Sequence, residues 1–90
     1  MGVAAIKIKI MPASPETDIK KIEGKVKEIL EKNSVMNSQF EVQPIAFGLN
    51  ALIVLFGWPE EKELEELEES LRKVEDVRSV EVIDIRRAIG

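Results

Sequence analysis

The chain lacks three residue types on which much protein chemistry depends. Among its 90 residues there is no cysteine, histidine or tyrosine, and tryptophan occurs once. Without cysteine there is no disulfide framework, thiolate nucleophile or thiolate zinc site. Without histidine there is no imidazole for acid-base catalysis or for binding a transition metal. A glycine-rich phosphate loop is missing too. We therefore expect no enzymatic activity, no metal site and no cofactor.

Positive charge and long apolar runs are also scarce. The 13 Lys and Arg face 17 Asp and Glu, which gives a net charge of −4, whereas non-specific nucleic-acid binding needs a basic surface. The longest apolar run, ALIVLF, is far shorter than the roughly 20 residues that span a bilayer. The N-terminus shows no signal-peptide pattern. We expect a cytoplasmic protein of one domain, residues 1–90, with no direct nucleic-acid partner and no membrane partner.

Hydrophobic periodicity predicts most of the secondary structure. Isoleucines alternate with lysines over residues 3–11, which is typical of a half-buried strand. Apolar residues spaced three and four apart predict a helix over residues 18–32. Two further strands are predicted over residues 39–47 and 50–58. The second of these is apolar on both faces, which indicates a central position in the sheet.

The remaining third of the chain predicts one helix and one strand. The stretch WPEEKELEELEESLRKVE has a leucine stripe, and Pro59 suits the first position of a helix. A last strand is predicted over residues 78–90, with a bulge or a change of burial at Ile83. The order β-α-β-β-α-β predicts an α+β fold of the ferredoxin-like plait type, with a four-stranded antiparallel sheet and two helices on one face.

Two charged patterns have functional interpretations that the sequence disfavours. Lysines on a ferredoxin-like sheet raise the question of an RNA-recognition motif, but the central strands lack the aromatic residues on which such motifs stack bases. The glutamates of the second helix could present paired carboxylates to a divalent cation. The leucine stripe on the same helix instead predicts a solvated acidic face.

The stretch QPIAFGLNAL, residues 43–52, raises a sharper question. Proline and glycine mark it as the end of a strand and a turn, yet Phe47 stands beside that turn. A phenylalanine in so small a domain usually belongs to the core. The small neighbours Ala46 and Gly48 favour the other interpretation, in which the ring projects as an interface anchor. The residues alone leave both interpretations open.

Three stretches together resemble translation elongation factor 1 beta of the archaeal type: IKIMPASPETDIKKIEGKVKEIL, QPIAFGLNALIV and VRSVEVIDIRRAI. More distantly, they resemble the C-terminal exchange domain of the eukaryotic factor. The resemblance covers nearly the whole chain, and its most specific parts are the PIAFG turn and the terminal IDIRR. It implies guanine-nucleotide exchange on elongation factor 1 alpha, the GTPase that carries aminoacyl-tRNA.

The resemblance also implies which residues meet that GTPase. In the eukaryotic relatives an aromatic residue in a Gly-Phe-Gly or Gly-Tyr-Gly turn presses against the partner. Phe47 occupies the matching position, with Ala46 in place of the first glycine. A lysine next to the C-terminus of those relatives reaches towards the partner's magnesium site, and Arg87 occupies that position here. The implied partner-binding residues are Ile45, Ala46, Phe47, Gly48, Arg86 and Arg87.

A second class of function stays open beside this one. A ferredoxin-like regulatory module that oligomerises and binds a small metabolite is compatible with the same residues, because this fold hosts many unrelated functions. The oligomeric state is open under both interpretations. The two classes differ in whether the chain accelerates GDP release from the GTPase.

Overall fold

The computed structural model describes residues 2–35 and 37–87. Its elements are β1 (Val3–Pro12), α1 (Ile19–Lys32), β2 (Ser38–Pro44), β3 (Asn50–Pro59), α2 (Glu65–Arg72) and β4 (Val77–Arg87). The four strands form one antiparallel sheet in the spatial order β2-β3-β1-β4. The predicted β-α-β-β-α-β fold is confirmed, and β3 is central as expected. Residues 88–90 of the predicted last strand lie outside the described residues.

One face of the sheet forms the core with both helices. The alternation in β1 places Ile6, Ile8 and Ile10 on that face, where each is at most 2% exposed. Both helices bury their apolar stripes in the same cluster of side chains. Burying one such side chain fully is worth about 1.5–3 kcal/mol, so the shared cluster is the main source of stability. The core side chains that the helices contribute are Ile22, Val26, Leu30, Leu67 and Leu71.

Helix α1 has defined signals at both ends. Asp18 is the N-cap, and its carboxylate accepts a hydrogen bond from the backbone N–H of Lys20 at 3.0 Å. At the other end Ser34 adopts a left-handed conformation with φ 67°. The backbone N–H of Val35 then donates to the carbonyl of Leu30 at 2.9 Å, which is the bond pattern of a Schellman motif. The prediction of this helix is confirmed.

The second helix begins at Glu65, so the prediction that Pro59 opens it is wrong. Pro59 is instead the last residue of β3, where it pairs with Val3 of β1. Burial of Trp58, which is 3% exposed, holds this segment in the sheet. The pairing of β2 with β3 ends at Phe56, so no β2 residue lies opposite Pro59. The backbone N–H that proline lacks is therefore not needed for a hydrogen bond to β2. The chain then turns through residues 60–64 before the helix starts.

Strand β4 contains a bulge at Ile83, as the sequence predicted. Lys7 pairs with Asp84 and the adjacent Ile8 pairs with Val82, so Ile83 has no partner on β1. Because side chains alternate along a strand, the extra residue moves every later side chain of β4 to the opposite face of the sheet. It therefore decides which face of the sheet each residue from 84 to 87 occupies.

We predict that Gly24→Ala stabilises the protein by about 0.5–1 kcal/mol, since alanine is the better helix former. Gly24 lies inside α1, and no atom lies within 4 Å of the position that an added Cβ would take. Gly48→Ala is the control, because Gly48 has φ +75° and any side chain there is strained. Urea denaturation should show opposite shifts of the free energy of unfolding. A destabilised Gly24→Ala would mean that this glycine has a packing role.

Candidate partner-binding surfaces

The connection between β2 and β3, residues 45–49, is a tight turn that we call the Phe47 turn. Its ends are joined by a hydrogen bond from the backbone N–H of Ile45 to the carbonyl of Leu49, at 2.7 Å. Ala46–Gly48 form a short 3-10 segment inside it. Phe47 has φ 65° and ψ 28°, and Gly48 has φ 75°. Two successive residues with positive φ thus carry the chain round the turn.

The ring of Phe47 projects into solvent. Its exposure is 94%, whereas Phe56 of β3 is 2% exposed and Phe40 of β2 packs partly against the core. The interpretation of Phe47 as a core residue is therefore wrong. A left-handed backbone costs a residue with a side chain roughly 1–2 kcal/mol. The turn thus places an apolar ring in water at a conformational cost, and the fold gains no burial from it.

The neighbours of Phe47 leave the ring accessible. Ala46 and Gly48 are both exposed and carry no large side chain. The closest approach at Gly48 is Pro15 of the β1–α1 connection, whose Cβ lies 3.9 Å from the position that a Cβ on Gly48 would take. Ile45 is half-buried at the base of the turn. The turn therefore lies near the β1–α1 connection, and the ring points away from the core.

The two arginines at the end of β4 lie on opposite faces of the sheet. Arg86 pairs with Ala5 on the open face, and its Nε donates to the carboxylate of Asp84 at 3.0 Å. Such an exposed ion pair is worth about 0–1 kcal/mol. Arg87 pairs with Ala4 on the helix-covered face. There it borders a small groove of about 150 Å³ next to Trp58.

The fold does not bring the Phe47 turn and the arginines together. The turn lies at the end of the sheet where Leu52 pairs with Ile10, and Arg87 lies at the other end, where it pairs with Ala4. On β1, six residue steps of about 3.3 Å separate Ile10 from Ala4, so the two surfaces are about 20 Å or more apart. The longest dimension of the protein is 41 Å. A partner that meets both surfaces has to span most of the sheet.

A groove beside α1 was not foreseen from the sequence. It has a volume of about 500 Å³ and runs along α1, with the α2–β4 connection as its other wall. Ile22, Ile29 and Val74 contribute apolar side chains to it. The walls come from segments more than 40 residues apart in the chain. Sequence periodicity shows that α1 is amphipathic, but it does not show how far α1 lies from the α2–β4 connection.

Within residues 2–35 and 37–87, no three Asp or Glu side chains are grouped so that they could hold a metal ion. None of the helices in this part of the chain is long and apolar enough to cross a membrane.

Known proteins with similar sequences are translation factors. The profile of the EF-1 guanine nucleotide exchange domain matches residues 5–88. Elongation factor 1-beta of Methanococcus aeolicus is 40% identical over 87 residues, which cover 94% of this chain and 97% of the relative. Elongation factor 1-beta of Methanosarcina barkeri is 42% identical over 88 residues, which cover 97% and 99%.

Solved structures with a similar backbone share the fold and little sequence. The ACT domain from GTP pyrophosphokinase of Chlorobium tepidum has a TM-score of 0.61 at 18% identity, with 88% of this chain and 96% of that chain covered. The C-terminal domain of the MgtC protein from Mycobacterium tuberculosis has a TM-score of 0.64 at 13% identity, with 92% and 86% covered. These likenesses show the ferredoxin-like architecture alone. Because the exchange-domain profile and the archaeal relatives match nearly the whole sequence, the chain belongs to the EF-1 guanine nucleotide exchange domain family, whose role is nucleotide exchange in translation elongation.

Proposed function

We propose that this protein promotes the replacement of GDP by GTP on the GTPase elongation factor 1 alpha, by binding that GTPase and without bond chemistry of its own. The family supports exchange in translation elongation. The observation that supports a particular contact residue is the ring of Phe47, which is 94% exposed in a left-handed turn. The cytoplasm, where translation takes place, is the location that accompanies this function.

The thermodynamics of exchange sets what the protein has to do. A GTPase holds GDP through phosphate-binding backbone groups, a P-loop lysine and Mg²⁺. An exchange factor accelerates GDP release when it binds the nucleotide-free GTPase more tightly than the GDP-bound form. By linkage, GDP then weakens the binding of the factor by the same ratio. The factor accelerates exchange in both directions, so the cellular excess of GTP over GDP decides which nucleotide replaces GDP.

Phe47 suits the role of an anchor in this complex. Large aromatic residues buried at the centre of an interface often carry 2 kcal/mol or more of the binding free energy. The hydrogen-bonded turn fixes the backbone that carries the ring before the partner arrives, so little backbone freedom remains to be lost on binding. Ile45, Ala46 and Gly48 would form the edge of this contact, because they flank the ring on the same turn.

Arg87 is proposed to act separately, as a fixed positive charge near the partner's Mg²⁺. A guanidinium carries a positive charge, which would repel the metal. No carboxylate among the described residues lies within 4.0 Å of this guanidinium, whereas Arg86 is paired with Asp84. Arg86 is part of the proposed surface too, but it lies on the opposite face of the sheet and Asp84 partly neutralises its charge.

The first test measures GDP release and binding together. We expect the protein to accelerate the release of fluorescent GDP from elongation factor 1 alpha, to bind the nucleotide-free form more tightly than the GDP-bound form, and to hydrolyse no GTP alone. Stopped-flow fluorescence and calorimetry are the measurements. A metabolite-binding regulatory module would leave the release rate unchanged. Equal affinity for the two forms of the GTPase would contradict the exchange function, since binding would then not be coupled to nucleotide.

A second test separates the interface role of Phe47 from folding. Phe47→Ala should change the free energy of unfolding by no more than about 1 kcal/mol, because the ring buries nothing. Phe47→Gly should unfold no more easily than the parent, since glycine accepts positive φ without cost. Both should slow GDP release by about tenfold or more, which corresponds to the loss of an anchor.

Phe56→Ala is the matched control for Phe47, since it removes the same side chain from the core. It should cost about 3–5 kcal/mol of stability, because Phe56 is 2% exposed. Urea denaturation and GDP-release rates are measured on all three variants. A large loss of stability in Phe47→Ala with exchange intact would show that the ring serves the fold and not the partner.

The third test varies Mg²⁺. At millimolar Mg²⁺, Arg87→Ala should slow exchange by about tenfold, the usual scale for a lost charge-assisted contact, and the defect should shrink as Mg²⁺ is lowered. Arg87→Lys should retain exchange if only the charge matters and should fail if a bidentate contact matters. Arg86→Ala, on the opposite face, is the comparison, and any effect that it has on exchange should not depend on Mg²⁺. Normal exchange by Arg87→Ala at every Mg²⁺ concentration would remove this residue from the mechanism.

A further inference from the structure

The groove beside α1 opens at the end of the sheet that carries the Phe47 turn. Residues 16–18 line its outer end, and the Cβ of Pro15, the residue before them, lies 3.9 Å from the position that a Cβ on Gly48 would take. The α2–β4 connection lines the same end. It is tied to the β1–α1 connection by a hydrogen bond from the backbone N–H of Ala13 to the carbonyl of Asp76, at 2.8 Å. The Phe47 turn and the opening of the groove therefore lie at the same end of the sheet.

The outer end of the groove is acidic. We call its four carboxylates, Glu16, Asp18, Glu75 and Asp76, the acidic mouth. The first two come from the β1–α1 connection and the others from the α2–β4 connection, so they border the opening on two sides. The nearest cations that line the groove are Lys21, one turn into α1, and Lys73, at the end of α2.

The charge changes sign further along the groove. Lys25 and Lys32 line the part that follows α1 away from the mouth, with Glu28 between them. Lys25 and Glu28 lie 4.0 Å apart on the surface of the helix. The apolar side chains between the two walls are those of Ile22, Ile29 and Val74. Of these, Ile29 and Val74 are half-buried and Ile22 is buried, so the groove offers a short apolar strip with negative charge at its outer end.

We propose that the Phe47 turn and the acidic mouth form one docking surface for a basic segment of the GTPase. On that segment an apolar pocket receives the ring, and Lys or Arg residues beside the pocket face the four carboxylates. This inference rests on the proposed function and specifies the chemistry of the partner surface. Complementary charge beside an apolar anchor speeds encounter and fixes orientation, while the anchor supplies most of the affinity.

Other occupants match this surface less well. A nucleic acid or another polyanion would meet four carboxylates at the opening. A small apolar metabolite fits the volume of about 500 Å³, but it would leave Phe47 outside the contact. A basic protein segment accounts for the exposed ring, the apolar strip and the acidic mouth together.

The test compares two pairs of substitutions that change the net charge equally. Glu16→Gln with Glu75→Gln removes two charges from the acidic mouth. Glu31→Gln with Glu41→Gln removes two charges at positions that line neither this groove nor the one beside Arg87. All four side chains are exposed, so the substitutions should leave the fold unchanged. Association rates with the nucleotide-free GTPase are measured by stopped flow over a series of salt concentrations.

We expect the mouth pair to slow association by about three- to tenfold at low salt and the control pair to behave like the parent. The difference should disappear at about 1 M salt, where the Debye length falls to about 3 Å. Hydrogen exchange of the complex should show added protection at residues 13–17 and 73–76. Equal rates for the two pairs, or protection confined to the Arg87 end, would overturn the inference.

The outcome also separates this inference from the proposed function. If the protein binds the GTPase and accelerates GDP release while the two pairs behave alike, only the docking surface is wrong. If the protein neither binds the GTPase nor accelerates GDP release, the proposed function and the inference that rests on it both fail.

Discussion

Strand β1 pairs with β3 on one side and with β4 on the other, and every other element depends on this double pairing. Its three core isoleucines meet the stripes of both helices, so β1 joins the two halves of the chain in one core. Because β1 is paired on both sides along most of its length, its two ends keep a fixed separation. Both candidate surfaces are attached to these ends.

Stability and partner recognition are drawn from different parts of the molecule. The core uses Ile, Leu and Val in ordinary strand and helix conformations, with no buried polar or charged side chain among the described residues. Phe47 combines a left-handed backbone with an exposed ring, and a fold selected for stability alone would replace it with glycine. The cost of about 1–2 kcal/mol is small beside the burial of several core side chains, so the fold tolerates it.

The sequence predicted what short-range patterns control. Alternation predicted β1, helical spacing predicted α1, and the broken phase near Ile83 predicted the bulge. Pro59 was misassigned because helix propensity and burial compete there, and the buried Trp58 beside it keeps the segment in the sheet. Two features depend on three-dimensional placement and were beyond these patterns. They are the separation of Phe47 from Arg87 and the groove beside α1.

The bulge at Ile83 has a consequence for comparing this protein with its relatives. Side chains alternate between the two faces of the sheet. Adding or losing one residue between the bulge and Arg86 would therefore move Arg86 and Arg87 each to the opposite face, without changing either residue. Residues that align by their distance from the C-terminus therefore need not be structurally equivalent. Terminal cations in this family should be matched by their place relative to the bulge, where an even number of residues preserves the face and an odd number reverses it.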